Sequence, residues 1–234
     1  LRRTLPAGVS LSVPLAGRLS GAVVEVLARL HRLDTRSVGL ADFGKPAGYV
    51  TRQVKGWSER YAIAATGAVP DMATVAAWLT ARIPPDSGAT IIHNDLKFDN
   101  LLLDPGDLGC IVAVLDWEMA TVGDPLMDLG CALAYWIQAD DPAELRAVAM
   151  GPTDVPGMWS RQQLAQEYAR LTGRPLGDIA FYYTFGLFKV AVIVQQIFAR
   201  YARGATTDSR FAGMDRLVAV LARQAARVAE RGTL

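Results

Sequence analysis

Two short apolar runs joined by a turn-rich loop constrain this chain more than any other part of its sequence. Leu101–Leu103 and Ile111–Leu115 are separated by DPGDLGC, whose Pro, Gly and Asp residues are typical of a hairpin turn. In an antiparallel hairpin, the residue entering the first strand lies near the residue leaving the second. Because neighbouring strands are about 4.8 Å apart, we expect the side chains of Asn100 and Asp116 to reach one common ion.

Apolar residues recur at helical intervals in the sequence before and after the hairpin. The predicted helices are Leu19–Leu33, Thr51–Thr66, Asp71–Arg82, Pro125–Gln138, Ser160–Leu171, Asp178–Arg203 and Asp208–Arg231. Ile91–Ile92 is a further short β-like run, and Asp124 before Pro125 is a favourable helix start. The sequence therefore predicts an α+β fold that is predominantly helical, with a small β-hairpin.

The composition is that of a globular protein. Hydrophobic residues make up 51% and charged residues 20% of the chain. The formal net charge is +1, so the protein has no strong positive electrostatic field that would favour binding to nucleic acid. The two histidines and two cysteines are too few for a zinc site of the usual spacing. Cys110 and Cys131 lie in apolar runs, which predicts two reduced core residues in a cytoplasmic protein.

Two other sequence patterns are misleading. The segment Ile179–Ala199 is long enough to span a bilayer, but Lys189 at its centre favours a buried helix, so we expect no membrane association. Residues 39–46 read GLADFGKP and lack the Ser or Thr of a phosphate-binding loop and a preceding apolar strand. The DFG string at 42–44 matches a tripeptide that follows the catalytic loop in protein kinases. Here it precedes the Asp- and Asn-containing loop at 93–100 by about fifty residues, so we treat it as a coincidence of composition.

Asp95, Asn100 and Asp116 form the candidate catalytic group. One amide oxygen and one carboxylate, with room for water and phosphate oxygens, are typical ligands of Mg²⁺. Asp95 lies five residues before Asn100 and can face the same cleft. A carboxylate beside a metal–phosphate centre can orient a hydroxyl group and accept its proton.

This pattern resembles a known family. His93-x-Asp95-x4-Asn100, followed by Asp116 after a hairpin, is similar to the core of the aminoglycoside phosphotransferases and choline kinases, which are relatives of protein kinases. The strings VLDWE, GDPLMDLG, AYW and DFGKPAGYVTRQVKGW resemble the branch associated with acyl-CoA dehydrogenases. The resemblance implies an ATP-dependent, Mg²⁺-dependent transfer of a phosphoryl group to a hydroxyl of a small molecule.

The resemblance also implies roles for single residues. Asp95 would be the catalytic base, and Asn100 and Asp116 would bind the Mg²⁺–nucleotide. His93 would belong to the catalytic loop as a packing and hydrogen-bonding member, and Asp128 would brace that loop from behind.

Three positions near this group need separate consideration. Asn94 stands where the family usually has Gly, and Asn tolerates left-handed backbone well. Lys97 either meets the transferred phosphoryl group or is a solvated lysine. Glu118 either supports a second metal or is a structural hydrogen-bonding acid.

The resemblance covers only part of the kinase architecture. The sequence before His93 contains no G-x-G-x-x-G and no stretch like V-A-I-K. We therefore expect a C-terminal lobe without the nucleotide lobe, inactive by itself. Its divisions would be a helical lead-in over 1–90, the catalytic and metal loops over 91–128, and a helical acceptor-binding subdomain over 129–234.

The acceptor is predicted from charge and resemblance together. Residues 140–234 hold twelve Lys and Arg against nine Asp and Glu, which disfavours a polycationic aminoglycoside. A hydroxyacyl-CoA-type acceptor is the resulting hypothesis, and Lys189 is either an acceptor contact or a lysine that extends to the surface. An aminoglycoside or choline-type kinase, a non-catalytic nucleotide- or CoA-binding module, and a metal-dependent hydrolase stay open as alternatives.

Overall fold

The computed structural model describes residues 1–2 and 4–234. Eight α-helices and two small sheets are found in this part of the chain. The helices are α1 (Val13–His31), α2 (Tyr49–Ala64), α3 (Pro70–Ala81), α4 (Pro125–Ala134), α5 (Ala143–Arg146), α6 (Arg161–Thr172), α7 (Ile179–Ala202) and α8 (Met214–Arg231). The predominantly helical fold with a small β component is as predicted.

Four strands form two antiparallel pairs. They are β1 (Thr90–Ile92), β2 (Leu101–Leu103), β3 (Ile111–Val114) and β4 (Thr121–Gly123). β2 pairs with β3 as the predicted hairpin, with a register shift between Leu102 and Leu103. β1 pairs with β4, so Thr90 lies opposite Gly123 and the hairpin is enclosed between them.

Two helix starts differ from the sequence predictions. α1 begins at Val13 rather than Leu19, because the Ser12 hydroxyl accepts a hydrogen bond from the Leu15 N–H and Pro14 is tolerated in a first turn. α8 begins at Met214, after a separate 3₁₀ turn over Ser209–Phe211. The Asp124 carboxylate caps α4 as predicted, by accepting from the N–H groups of Leu126 and Met127.

Helix α7 is the centre of the core and contacts α2, α3, α4 and α8. Its length and composition would suit a membrane span, but 78% of its most apolar window is buried inside the protein. That burial identifies α7 as a core helix, because it packs against other helices and not against lipid.

The crossing of α4 and α7 depends on two glycines. A Cβ atom on Gly130 would overlap the Tyr182 backbone, and one on Gly186 would overlap the Gly130 carbonyl group. The two helices therefore approach at backbone distance. This close crossing fixes α4 against α7, and α4 also contacts β1, the strand that precedes the Asp95 loop.

Candidate active site

The loop between β1 and β2 carries Asp95, which is 8% exposed. One carboxylate oxygen, Oδ1, accepts from the Tyr135 hydroxyl at 2.7 Å. The other, Oδ2, accepts from Lys97 Nζ at 2.5 Å and from Asn100 Nδ2 at 3.0 Å. Because each carboxylate oxygen has about two acceptor positions, Oδ1 keeps one that no donor among the described residues occupies.

Asn100 presents an oxygen that suits a metal ion. Its Nδ2 donates to the Asp95 backbone carbonyl at 2.9 Å as well as to the Asp95 carboxylate. Since both partners are acceptors, the amide orientation is fixed and Oδ1 points elsewhere. No protein donor bonds Asn100 Oδ1 within the described residues.

Asp116 lies at the same end of the hairpin. The Leu115 N–H donates to the Asn100 carbonyl at 2.8 Å, which places Asp116 one residue from that contact. Asp116 is exposed and has left-handed backbone with φ of 66°. An amide oxygen and an exposed carboxylate fit the oxygen preference of Mg²⁺. Across residues 1–2 and 4–234 there is no cluster of three or more His, Cys, Asp or Glu that would form a denser site.

His93 connects the catalytic loop to the hairpin. Its Nδ1 accepts from the Asp95 backbone N–H at 3.2 Å, so Nε2 must carry the proton that is donated to the Leu115 carbonyl at 2.9 Å. The ring also packs against Trp117, with 4.9 Å between centroids. These contacts are compatible with the packing and hydrogen-bonding role that the resemblance implies for His93, which stays a prediction.

Asp128 lies fully buried behind the loop. Its carboxylate accepts from the backbone N–H groups of His93 and Asn94, each at 2.7 Å, and contacts His31 Nε2 at 3.0 Å. Burial acts to raise the pKa of Asp128, but the His31 hydrogen bond and charge and the two N–H groups outweigh burial and lower it. The structure thus places Asp128 where it can brace the loop.

Asn94 has left-handed backbone with φ of 67°, as its substitution for glycine suggests. The Tyr49 hydroxyl donates to its side-chain oxygen at 3.1 Å, and its Nδ2 donates to the Met119 carbonyl at 3.0 Å. These contacts hold Asn94 in its left-handed conformation directly before Asp95.

The alternative that the Lys189 side chain extends to the surface is wrong. It is 3% exposed, and its Nζ donates to the Asn94 carbonyl at 2.6 Å. Lys97 is likewise not a freely solvated lysine, because it bonds Asp95 and lies 5.0 Å from the Tyr135 ring centroid.

The structure disagrees with one of the two alternatives for Glu118 and with the core prediction for Cys110. Glu118 is exposed and has no hydrogen bond among the residues that the structure describes, so it is not a structural hydrogen-bonding acid. Cys110 is exposed, because it lies at the end of the hairpin turn, whereas Cys131 is buried as predicted. Burial raises the pKa of the Cys131 thiol to about 11, with a smaller opposing effect from Lys189.

Sequence reasoning missed the role of Tyr135 and His31. Tyr135 follows α4, and burial together with the Asp95 charge raises the pKa of its hydroxyl well above the usual value, so it is a hydrogen-bond donor. The string AYW contains Tyr135 and was a usable signal. His31 is 97 residues from its partner Asp128 and carries no local signal of this contact.

Comparison with known proteins identifies the family. The model of the phosphotransferase enzyme family (APH) matches residues 3–170, which is more than half of the chain. The chain belongs to that family. Chicken acyl-CoA dehydrogenase family member 11 is 35% identical over 201 residues, covering 82% of this chain and 25% of the relative.

Solved structures agree with this assignment. A candidate aminoglycoside phosphotransferase from Ralstonia eutropha is 29% identical with a TM-score of 0.85, over 99% of this chain and 69% of that chain. A spectinomycin phosphotransferase in complex with ADP and spectinomycin shares the fold at 13% identity and a TM-score of 0.50, over 93% of this chain and 67% of that chain. The chain spans a quarter or less of the first curated relatives that it matches.

Proposed function

We propose that this chain carries the catalytic centre for transfer of a phosphoryl group from ATP to a hydroxyl of a small molecule. The observation that supports the proposal is the Asp95 carboxylate, with Oδ2 bonded to Lys97 and Asn100 and one acceptor position of Oδ1 open. In this role Asp95 Oδ1 accepts the proton of the acceptor hydroxyl. The hydroxyl oxygen bonds to the terminal phosphorus as the bond from phosphorus to the ADP oxygen breaks.

The surrounding residues orient Asp95 for this proton transfer. Tyr135 holds Oδ1, and Asn100 holds Oδ2, so the carboxylate cannot rotate about its last bond without losing hydrogen bonds. Lys97 offsets the carboxylate charge and can also face the transferred phosphoryl group. Asn100 and Asp116 would hold Mg²⁺, which supplies neutralisation of phosphate charge when it is bound.

The donor assignment to ATP rests on family membership and on the ADP in the spectinomycin phosphotransferase of the same fold. The residues over the phosphates in kinase-like enzymes belong to a second, N-terminal lobe. We propose that this chain supplies the C-terminal lobe, and that nucleotide binds weakly without the other.

For the acceptor we propose a hydroxyacyl-CoA-type molecule. The curated relative is by name an acyl-CoA dehydrogenase family member, which favours an acyl-CoA-derived alcohol. The basic excess in the C-terminal helices gives less support than the sequence suggests, because Arg161 is paired with Asp141, and Arg223 and Arg227 with Glu144. An aminoglycoside acceptor remains the alternative for the screen.

The test is ATP consumption by the intact protein with Mg²⁺. Hydroxyacyl-CoA compounds, aminoglycosides and choline are supplied in turn, and Asp95→Asn is compared with Asp104→Asn. Asp104 caps the hairpin turn by accepting from the Gly106 N–H, and Asn can keep that bond. We expect Asp95→Asn to lower kcat by about 10²–10⁴-fold, with Asp104→Asn close to the unmodified protein.

Nucleotide binding without turnover of any acceptor would overturn the proposal in favour of a non-catalytic binding module. Phosphate release that needs no acceptor would instead identify a hydrolase. Equal activity of Asp95→Asn and Asp104→Asn would exclude Asp95 as the base.

A further inference from the structure

Lys189 places a basic group in the protein interior without a carboxylate partner. Lys189 lies on α7 with its side chain buried, and it forms no ion pair with any residue that the structure describes. Its Nζ instead contacts the Asn94 carbonyl at 2.6 Å, Cys131 Sγ at 3.7 Å and the Trp57 ring, whose centroid is 5.5 Å away. A carbonyl, a thiol and a ring face are weaker compensation for a buried ammonium than a carboxylate.

Such an arrangement is not an efficient way to stabilise a fold. Burying an ammonium group costs more free energy than one hydrogen bond to a neutral carbonyl returns. An apolar side chain of similar length would fill the same space without the desolvation cost. The group that Lys189 contacts most closely, the Asn94 carbonyl, therefore indicates the role of the lysine.

That contact fixes the peptide that carries Asp95. The Asn94 carbonyl and the Asp95 N–H belong to the same peptide group, whose N–H donates to His93 Nδ1 at 3.2 Å. Rotation of this peptide group would break both contacts and turn the Asp95 carboxylate away from Tyr135 and Asn100. Lys189 and His93 hold the two sides of this peptide group.

We propose that Lys189 is a positioning residue that holds the Asn94–Asp95 peptide group in the orientation that presents the Asp95 carboxylate. This assignment replaces the predicted contact between Lys189 and the acceptor. It rests on the proposed function only in taking Asp95 as the base. Tyr49 and Asp128 hold Asn94 through its side chain and its N–H, so the carbonyl contact of Lys189 is separate from theirs.

The first experiment measures loop geometry without any activity. Amide hydrogen exchange is followed in Lys189→Met, with Cys131→Ala as the control that removes the neighbouring thiol but not the carbonyl contact. We expect exchange at the Asp95 amide to rise about tenfold in Lys189→Met through local opening. The rise should be confined to residues 93–97, and the thermal midpoint should not fall, since a buried ammonium has been removed.

If Lys189→Met does not fold, Lys189→Gln replaces it in the same exchange experiment. The glutamine side chain is shorter than that of lysine, so its amide does not reach the Asn94 carbonyl. A uniform rise in exchange over all core amides with a lower thermal midpoint would show that Lys189 is only structural. Unchanged exchange at Asp95 would overturn the inference as well.

The second experiment uses turnover by the intact protein with the acceptor found in the screen. We expect Lys189→Met to lower kcat about ten- to a hundredfold while the KM for ATP stays within about twofold. Retained kcat in Lys189→Met would overturn the positioning role. If the unmodified protein has no activity, the proposed function fails, and the exchange comparison still decides the role of Lys189.

Discussion

The Asp95 carboxylate is held on both oxygens, and this limits the direction from which a hydroxyl can approach it. Among the residues that the structure describes, Oδ2 has two donors, Lys97 and Asn100, whereas Oδ1 has one, Tyr135. In the proposed reaction the acceptor hydroxyl would therefore meet Oδ1 beside the Tyr135 ring. Tyr135 orients the oxygen that is proposed to accept the proton, and its own raised pKa keeps its hydroxyl protonated as a donor.

Replacement of Tyr135 by Phe tests this arrangement. The change removes one hydrogen bond to a charged group and leaves the ring, so we expect the free energy of unfolding to fall by about 1–2 kcal/mol. We expect kcat to fall about ten- to a hundredfold as Asp95 gains freedom to rotate. Steady-state kinetics and urea unfolding measure the two effects.

Tyr61→Phe is the matched control, since the Tyr61 hydroxyl forms no hydrogen bond in the part of the chain that the structure describes. An unchanged kcat in Tyr135→Phe would mean that Asp95 is oriented by Asn100 and Lys97 alone.

The contacts that spacing along the chain predicts and those that it does not differ in how far apart the two partners lie in sequence. Asp95 and Asn100 are five residues apart, and a hairpin relates Asn100 to Asp116, so spacing alone brings them together. Tyr135 is 40 residues from Asp95, and Lys189 is 95 from Asn94. Such contacts depend on how helices pack, which no local periodicity encodes.

At the scale of elements, α4 and α7 bring separate parts of the site together. α4 carries Asp128 and leads into Tyr135, whereas α7 carries Lys189. Their backbones touch where Gly130 and Gly186 meet. The glycine pair thus sets the distance between Asp128, which accepts from the loop N–H groups, and Lys189, which donates to the Asn94 carbonyl.

Gly186→Ala should separate the two helices. Its Cβ would meet backbone atoms of Gly130, which cannot move aside cheaply, so we expect a loss of about 2–3 kcal/mol in the free energy of unfolding. Gly56→Ala is the control, because Gly56 also lies in a helix but has open space around its Cβ position.

Urea unfolding compares these two variants. Gly56→Ala should gain up to about 1 kcal/mol from better helix propensity. A gain of similar size in Gly186→Ala would contradict the close crossing.

Element prediction failed where sequence signals were short or ambiguous. β4 has only three residues and includes glycine, so neither its length nor its composition indicates a strand. The start of α1 was missed because Pro14 reads equally as a helix break and as a first-turn residue. The long, periodic helices α6 and α7 were predicted to within about one residue of their observed ends.

For the whole molecule, the buried Asp128 connects distant parts of the chain. Its carboxylate joins His31 at the end of α1, the loop after β1, and α4. His31 also contacts the Tyr168 hydroxyl in α6 at 2.7 Å. Loss of the Asp128 charge should therefore weaken the fold as a whole.

We expect Asp128→Asn to lower the free energy of unfolding by about 3 kcal/mol at pH 7, since it leaves buried donors unpaired. The pKa of Asp128 is lower in the folded protein than in the unfolded chain, so its stabilisation is complete above the unfolded value. It is lost as pH falls through the folded value. The difference between the unmodified protein and Asp128→Asn should accordingly shrink on acidification.

Urea unfolding at a series of pH values from 7 downward measures this difference. The exposed residue Asp140 supplies the control Asp140→Asn, whose curve should run parallel to that of the unmodified protein. A gap between Asp128→Asn and the unmodified protein that stays constant down to strongly acid pH would contradict the assignment of a lowered pKa.

The pairing of β1 with β4 has a consequence for how this protein can be engineered. Thr90 and Gly123 lie opposite each other, so the chain between them leaves and re-enters the fold at one place. Asp95, Asn100 and Asp116 all lie on this closed segment, whereas Asp128, Tyr135 and Lys189 approach it from outside. Residues 90–123 can therefore be exchanged as one segment with those of a relative. Such a chimera would show whether the proposed catalytic loop or the surrounding helices determine which acceptor is used.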